Sequence, residues 1–468
     1  MNIRKHSIAL VSSKYFNISF VIGRSIAHVN ILSHQDLYYL PMRTLTAVVI
    51  SLFCLPLSDN EKGNINYEFP DVIVKREFKS MDQVYNGTVS FALATSGHYR
   101  ECLQYQYIDS TRLEVKIGVN RPKIIDGKDF IIEKAKSYRV VMINEAHDRP
   151  QHRIFTKSLL KDLYDQGFHV LMVEALGYNS NVMSKGYPVD TDGVSTNEPV
   201  YASMLRYARK IGFDIETYYY YENKKIPYWD DTIKLDDRGS IKYINYRDKD
   251  SLVIKILPSG DELYYQTSRF EEEQAKNVYK VMQRYPGSKF LMHVGYCHLC
   301  EYAESEMAHK LKRILKEEDF LTIDQATFDE RRDIIDTISH TNMKRVHSFF
   351  VEDGISQSVH VTPGGKTDYV MFNGILADSL GRPNYLFQDV EPRFVYRIPE
   401  HFTGPEDYIF AAYPLDEYKV EKEHTIAVDV VYAKKGTVVP PLLLYKGKYA
   451  LLRRGRDDVY KRMDIEVK

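Results

Sequence analysis

At 468 residues the chain is long enough for two or three structural units, each built round its own core. Lysine plus arginine (63) and aspartate plus glutamate (64) nearly cancel, so no global field draws the protein to nucleic acid or to an anionic surface. Four cysteines, at positions 54, 102, 297 and 300, are too few for a disulfide-built scaffold, and the 37 tyrosines suit half-buried strand and surface positions without naming a ligand.

Residues 1–41 mix charged and apolar residues without a clear period. From Met42 the order changes: Arg43 precedes the largely uncharged TLTAVVISLFCLPLS and then the polar DNEKGN. A basic start ahead of an apolar stretch of about 7–15 residues is the layout of a secretory signal, too short to span a bilayer as a helix. Translation from Met42 implies a secreted, periplasmic or cell-envelope protein, whereas translation from Met1 implies a cytoplasmic one. The competing reading is a buried hydrophobic segment. Cys54 offers a lipid-attachment point, hence membrane attachment through the N-terminus, although Ser51-Leu52-Phe53 puts no small residue just before it. Residues 1–61 are therefore read as an extension. Residues 62–135 form a mixed segment of short strands or a helix, including VSFALA and TRLEVKIGV, punctuated by Asn86-Gly87 and Gly97. Asn86-Gly87-Thr88 matches a glycosylation triplet, relevant only in a eukaryotic secretory route.

From residue 136 the pattern becomes regular. SYRVVMIN is a compact apolar run of strand length. In HRIFTKSLLKDLYDQG the positions Ile154, Phe155, Leu159, Leu160, Leu163 and Tyr164 recur at three- and four-residue steps, with Gly167 placed to end the helix. FHVLMVEA is a second buried strand, so the three segments make a βαβ unit with a parallel pair. VYASMLRYARKIG is helical and stops at Gly212 before the strand-like FDIETYYYY. Residues 222–265, Tyr-rich and broken by Pro227 and Gly239, read as an inserted hairpin or lid. SRFEEEQAKNVYKVMQRYPG is a helix, SKFLMHVG a buried strand, AESEMAHKLKRILKE a helix and LTIDQ a last strand. This alternation predicts an α/β fold over 136–330, a mostly parallel, doubly wound sheet with helices on both faces. Residues 331–468 carry TIAVDVVYA and PLLLYKGKYALLRR between Pro and Gly, which predicts a small β-rich C-terminal accessory domain.

In such sheets ligands sit beyond the carboxyl ends of the strands. There the first strand delivers Asn144-Glu145-Ala146-His147-Asp148, the second Glu174, and the later one Gly295-Tyr296-Cys297-His298. Glu145 and His147 are two apart, so in extended backbone they address the same ligand. A carboxylate beside an imidazole suits a metal site or proton transfer near neutral pH. Gly295 would let the backbone turn tightly and bring His298 back over the strand end. Plainer roles compete: His147 as a helix-start cap, Glu174 as the start of a loop, His293 as a hydrogen-bonded core histidine, and His152 in the first helical turn as either. Cys297 and Cys300 form a single CxxC, read as structural or redox-sensitive thiols rather than half of a zinc knuckle. VTPGGKTD at 362–369 lacks the spacing of a phosphate loop.

These residues resemble a known superfamily. INEAHDRPQHRIF is similar to the GExHDxPxHHxxQ segment of ChaN-like haem-binding lipoproteins and to the GExxHG element of erythromycin esterases. FLMHVGYCHL resembles the strand plus GxxH motif of the TraB/Tiki group, VLMVEA the second-strand acid of the esterases, and Arg269 with Glu271, Ala275 and Asn277 their Arg-acid helix. The resemblance covers residues 136–330. It implies an EreA/ChaN-like fold and carries over Glu145, His147, Glu174 and His298 as catalytic residues, with His147 as general base or ligand. His152, Arg153, Arg269, Glu271 and His293 surround them, and Glu145, His147 and His298 become candidate ligands for a divalent metal ion. The chain departs from the family at Asn144, where the family has glycine, at Arg153, which replaces the second ChaN histidine, and at the motif's unmatched glutamine. Haem therefore ranks behind a metal as cofactor.

The expected function is an exported hydrolase cleaving an ester or peptide bond of a small-molecule or peptide substrate. The alternatives are a haem or metal carrier using His147, His152 or His298, and a surface interaction protein with a degenerate site.

Overall fold

The computed structural model describes residues 15–22, 25–32, 67–75, 82–105, 123–177, 179–193, 195–219, 233–235, 241–244, 261–296, 298–301, 304, 306–315, 320–328, 348–352, 367–374 and 378–468. The chain divides into two compact units, one comprising Met1–Asn60, Glu77–Tyr85 and Asp230–Tyr264 and the other Glu61–Arg76, Asn86–Trp229 and Tyr265–Lys468. In the first, Tyr15–Ile22 pairs antiparallel with Ser25–Leu32, and Ile233–Leu235 with Ile241–Ile244. The signal-like segment after Met42, including Cys54, lies outside the described residues, as does TRLEVKIGV. No described helix is long and apolar enough to cross a membrane.

The second unit is built on an eight-stranded sheet. Its elements in chain order are β1 (Lys123–Asp126), α1 (Gly127–Ala135), β2 (Val140–Glu145), α2 (Pro150–Asp165), β3 (Phe168–Val173), α3 (Pro199–Ile211), β4 (Asp214–Thr217), α4 (Asp261–Arg284), β5 (Lys289–Gly295), α5 (Met307–Leu315), β6 (Phe320–Phe328), β7 (Ser348–Glu352) and β8 (Tyr369–Asn373). The strand order is β1-β7-β8-β6-β2-β5-β3-β4. From β8 to β4 every pair is parallel; β7 runs antiparallel to β8 and to β1.

The central strands are apolar on both faces because both faces are covered. Val141 and Ile143 of β2 and Leu171 and Val173 of β3 pack with Leu159 and Leu163 of α2 and Met204 and Leu205 of α3. Val140, Met142, Val170 and Met172 face the other way, onto Val278 and Val281 of α4 and Leu311 of α5. Right-handed crossovers account for the division: β2, β3 and β4 succeed one another outward with their helices on one face, and the chain then returns to β5 and β6 with its helices on the other. The return inserts β5 between β2 and β3, which sets the three site-bearing strand ends side by side.

The sheet reaches past 136–330 at both ends, taking in β1, β7 and β8. These short strands have too few residues for local alternation to mark them as part of a larger sheet. VSFALA lies in the helix Asp82–Thr95, which also contains Asn86. Helix α4 begins at Asp261, inside the segment read as an insertion.

The C-terminal region is antiparallel: β9 (Tyr408–Pro414), β10 (Asp429–Ala433), β11 (Gly447–Gly455) and β12 (Tyr460–Val467) pair in the order β10-β9-β11-β12. It shares a core with the parallel sheet's helices, since Ile154 of α2 and Val200 of α3 join Tyr385, Leu386 and Leu443 in one buried cluster. Lys157 of α2 is wholly buried there, 2.8 Å from an Asp389 oxygen and 3.0 Å from the hydroxyls of Ser203 and Tyr445.

Candidate functional site

Registration places the site. Glu145, the last residue of β2, lies opposite Gly295, the last of β5, and on the other side of β5 Val173 lies opposite His293. Strand alternation sends the Glu145 side chain to the same face as Val141 and Ile143, toward α2. There Arg153 grips it bidentately, Nε donating to Oε2 at 2.6 Å and Nη2 to Oε1 at 2.8 Å. The third guanidinium nitrogen, Nη1, donates to Oε2 of Glu198 at 2.9 Å. Glu198 is itself held as the cap of α3, accepting from the backbone N–H groups of Val200 and Tyr201 at 2.8 and 2.6 Å. His293 adds a contact from its Nε2 to Glu145 Oε2 at 2.7 Å, and its Nδ1 lies 3.2 Å from Thr156 Oγ1. Burial alone would raise the Glu145 carboxyl, but the Arg153 guanidinium and then His293 override it and hold the group well below the usual carboxylate range.

This buried frame orients His147. Its Nδ1 is 3.0 Å from Glu145 Oε1, and Arg153 Nη2 donates to its carbonyl at 2.7 Å. Its Nε2 has no hydrogen-bond partner among the described residues. The His147 side chain keeps 13% of its surface exposed, whereas Arg153 keeps none.

A second network approaches from α4. Glu271 Oε2 lies 2.8 Å from His298 Nδ1 and accepts from the Met307 N–H at 2.9 Å. His298 Nε2 lies 3.3 Å from Glu174 Oε1, and Glu174 Oε2 accepts from the Gly295 N–H at 2.6 Å. Burial would lower the His298 imidazole, but Glu271 and then Glu174 lift it well above its ordinary value, so it stands as an imidazolium between two carboxylates. Burial would raise Glu174, but the His298 charge and hydrogen bond bring it down to about 2. The signs fix the pH window. Glu174, depressed, contributes stability that is complete above about 4.5 and lost toward pH 2; His298, raised, contributes stability that is complete below about 6.5 and lost as pH climbs through its higher folded value. Since Glu271 is the larger support of the His298 charge, Glu271→Gln is expected to move the His298 titration to lower pH. Imidazole titration by NMR checks this, and an unchanged midpoint contradicts it.

The two networks meet at Gly295. A Cβ there would lie 2.6 Å from His147 Cε1 and 2.7 Å from Glu174 Oε2, so only glycine lets both side chains close over the end of β5. The sequence reading assigned Gly295 to a tight turn; its role here is space, and the positive φ of the turn, 21°, falls on Tyr296.

The remaining candidates take supporting places or fall outside view. His152 is wholly buried and its Nδ1 accepts from the Ala146 N–H at 3.0 Å, fixing the loop after β2. Asn144, where the resembled family has glycine, donates to the Tyr296 carbonyl and to Asp324 at 2.8 and 2.9 Å, and its Oδ1 accepts from the Gln325 N–H at 2.8 Å, so it staples β2 to β6 and to the β5 loop. Arg269 lies in α4, with its side chain outside the described residues, as is Cys297. Sequence reasoning missed Glu198, Tyr218 and Gln274. Only the Glu-Pro pair opening α3 signalled the first, as a helix cap.

The three side chains offered as metal ligands are not presented as a ligand set. Both Glu145 oxygens accept from Arg153, and both His298 nitrogens face carboxylates, which leaves His147 Nε2 as the open donor. Among the described residues no group of three or more His, Cys, Asp or Glu side chains is arranged to hold an ion. In this arrangement Glu145 and His298 are engaged by protein partners.

No family model and no curated protein matches the chain. Among solved structures it is similar to that titled "The structure of the type III effector HopBA1", at a TM-score of 0.27 and 12% identity, over 45% of this chain and 87% of that one. An overlap of that size carries neither a fold nor a function across.

Proposed function

We propose that this chain is an EreA/ChaN/Tiki-like hydrolase with a doubly wound α/β domain, cleaving an ester or peptide bond of a small molecule or peptide by His147-assisted attack of water. The observation that carries this reading is the His147 imidazole, whose Nδ1 is held by an ionised, fully braced carboxylate while its buried Nε2, at the strand end, has no hydrogen-bond partner among the described residues. A base oriented by a second group, itself locked by packing, is the common requirement of base-assisted acyl transfer. A water lodged between Nε2 and Glu174 would give its proton to Nε2 as its oxygen bonds to the carbonyl carbon. The imidazolium of His298 would oppose the charge gathering on the carbonyl oxygen. The same proton then passes from Nε2 to the leaving alkoxide or amine as the C–O or C–N bond breaks.

Neither carrier reading draws support from a specific contact: His152 is committed to the loop after β2, and Arg153 fills the place of the second ChaN histidine. The purified protein is expected to cleave p-nitrophenyl esters or fluorogenic peptides, to retain that activity in excess EDTA and to show no Soret band. Absence of hydrolysis on both panels, or abolition by the chelator, overturns the reading. Export from a start at Met42 is proposed with it, and mass spectrometry of the mature N-terminus decides.

A further inference from the structure

On one face of α4 the residues 271, 274, 277 and 278 recur at helical spacing; Val278 packs into the core, whereas the polar contacts of Glu271 and Asn277 run to the strand ends that carry the site. Glu271 holds His298, and Asn277 Nδ2 donates to the Tyr218 carbonyl at 3.1 Å, just past the end of β4. Gln274 lies between them, 1% exposed, and neither its Nε2 nor its Oε1 has a hydrogen-bond partner among the described residues. The Tyr218 hydroxyl, on a side chain with no exposed surface, is likewise without one. The carboxylates of Glu174 and Glu271 both act on that phenol, reinforcing the effect of its burial and holding it protonated. An unsatisfied buried polar group costs about 1–3 kcal/mol, so three such atoms beside a candidate catalytic site are a place kept for something that pairs with them.

We propose that Gln274 and Tyr218 form a subsite for an uncharged carboxamide of the substrate's acyl portion, next to the bond that is cleaved. This deepens the hydrolase reading and rests on it. The Gln274 carboxamide offers one free donor and one free acceptor in a single plane, which pair at two points with the C=O and N–H of another amide. The Tyr218 hydroxyl supplies a third contact. Glu174 and Glu271 make the surroundings negative, which disfavours a carboxylate or phosphate in that place. A purely alkyl acyl group would leave the three atoms unpaired, and rejection of an analogue lacking the hydrogen-bonding group is strong for that reason.

The test compares two near-isosteric probes, the p-nitrophenyl esters of N-acetylglycine and of pentanoic acid, on the full chain and its Gln274→Met and Tyr218→Phe variants. Taking the ratio of kcat/KM for the two esters in each protein cancels their different intrinsic reactivity. The ratio is expected to fall at least about tenfold in each variant relative to wild type. A ratio within twofold of wild type in both variants, with hydrolysis intact, overturns the subsite and leaves the hydrolase reading standing. If the wild type cleaves neither ester, the hydrolase reading is decided on the peptide panel instead. Calorimetric titration with N-acetylglycinamide then decides the subsite: binding to wild type weakened at least about tenfold in both variants supports it, and no binding to wild type overturns it.

Discussion

His147→Gln is expected to lower kcat for any ester or peptide the protein cleaves by roughly a thousandfold, the middle of the range for loss of a positioned general base. Glutamine has similar volume and its amide N–H can still donate to Glu145, so the frame of Arg153, His293 and Glu198 is left in place. What disappears is the basic ring nitrogen Nε2, because a carboxamide is not a base near neutral pH. The melting temperature should therefore stay within a few degrees of wild type while activity is lost. A rate within threefold of wild type would remove His147 from the chemistry. A parallel fall in melting temperature would show that the residue is needed for folding instead.

Arg153→Met is expected to act through the opposite channel. The arginine is wholly buried, grips Glu145 with two nitrogens, and reaches Glu198 with the third. Removing it leaves both carboxylates buried against an apolar side chain, and breaking such a network from one side costs about 3–5 kcal/mol. For a unit of this size that is a fall in melting temperature of roughly 10 °C. Arg153→Lys should recover only part of it, since one ammonium cannot reproduce a planar three-nitrogen grip. The loss should also be larger near neutral pH than at strongly acidic pH. The depressed Glu145 contributes stability above its unfolded pKa and loses it as pH falls through its low folded value, so acid removes from wild type what the substitution has already removed. Equal melting temperatures for wild type and Arg153→Met, measured by calorimetry, would contradict the geometry of the frame.

These two residues also show what was legible in the amino-acid order. His147 could be found because β2 opens with the apolar run Val140–Ile143, and a Glu-x-His just after such a run stands out against it. The helices α2 and α3 were legible from three- and four-residue spacing and from their stops; Gly212, for example, caps α3 with a φ of 109°. Glu174 and His298 were likewise marked by position at strand ends, and Glu271 by its resemblance to a family's Arg-acid helix. Arg153 was placed around the site, and as a departure from a family histidine, but not as the brace of Glu145. Its partnership with Glu198, 45 positions away, depends on how α2 packs against α3, which no local pattern encodes. The same holds for Tyr218 and Gln274, whose significance lies in the hydrogen bonds they do not make. Gly295 was flagged for the right reason type but the wrong constraint, because a turn and a close approach call for the same residue. The short strands β1, β7 and β8 escaped because short strands gain their stability from pairing, which is a non-local property.

The most direct measurement is the protonation pattern of the His147 ring in protein labelled with 15N at histidine, observed by long-range proton–nitrogen correlation. The account predicts a neutral ring protonated at Nδ1, toward Glu145, with a bare Nε2 facing the site, and loss of that single tautomer in Glu145→Gln. A ring protonated at Nε2 in the wild type would present a donor where a base is required, and would contradict it.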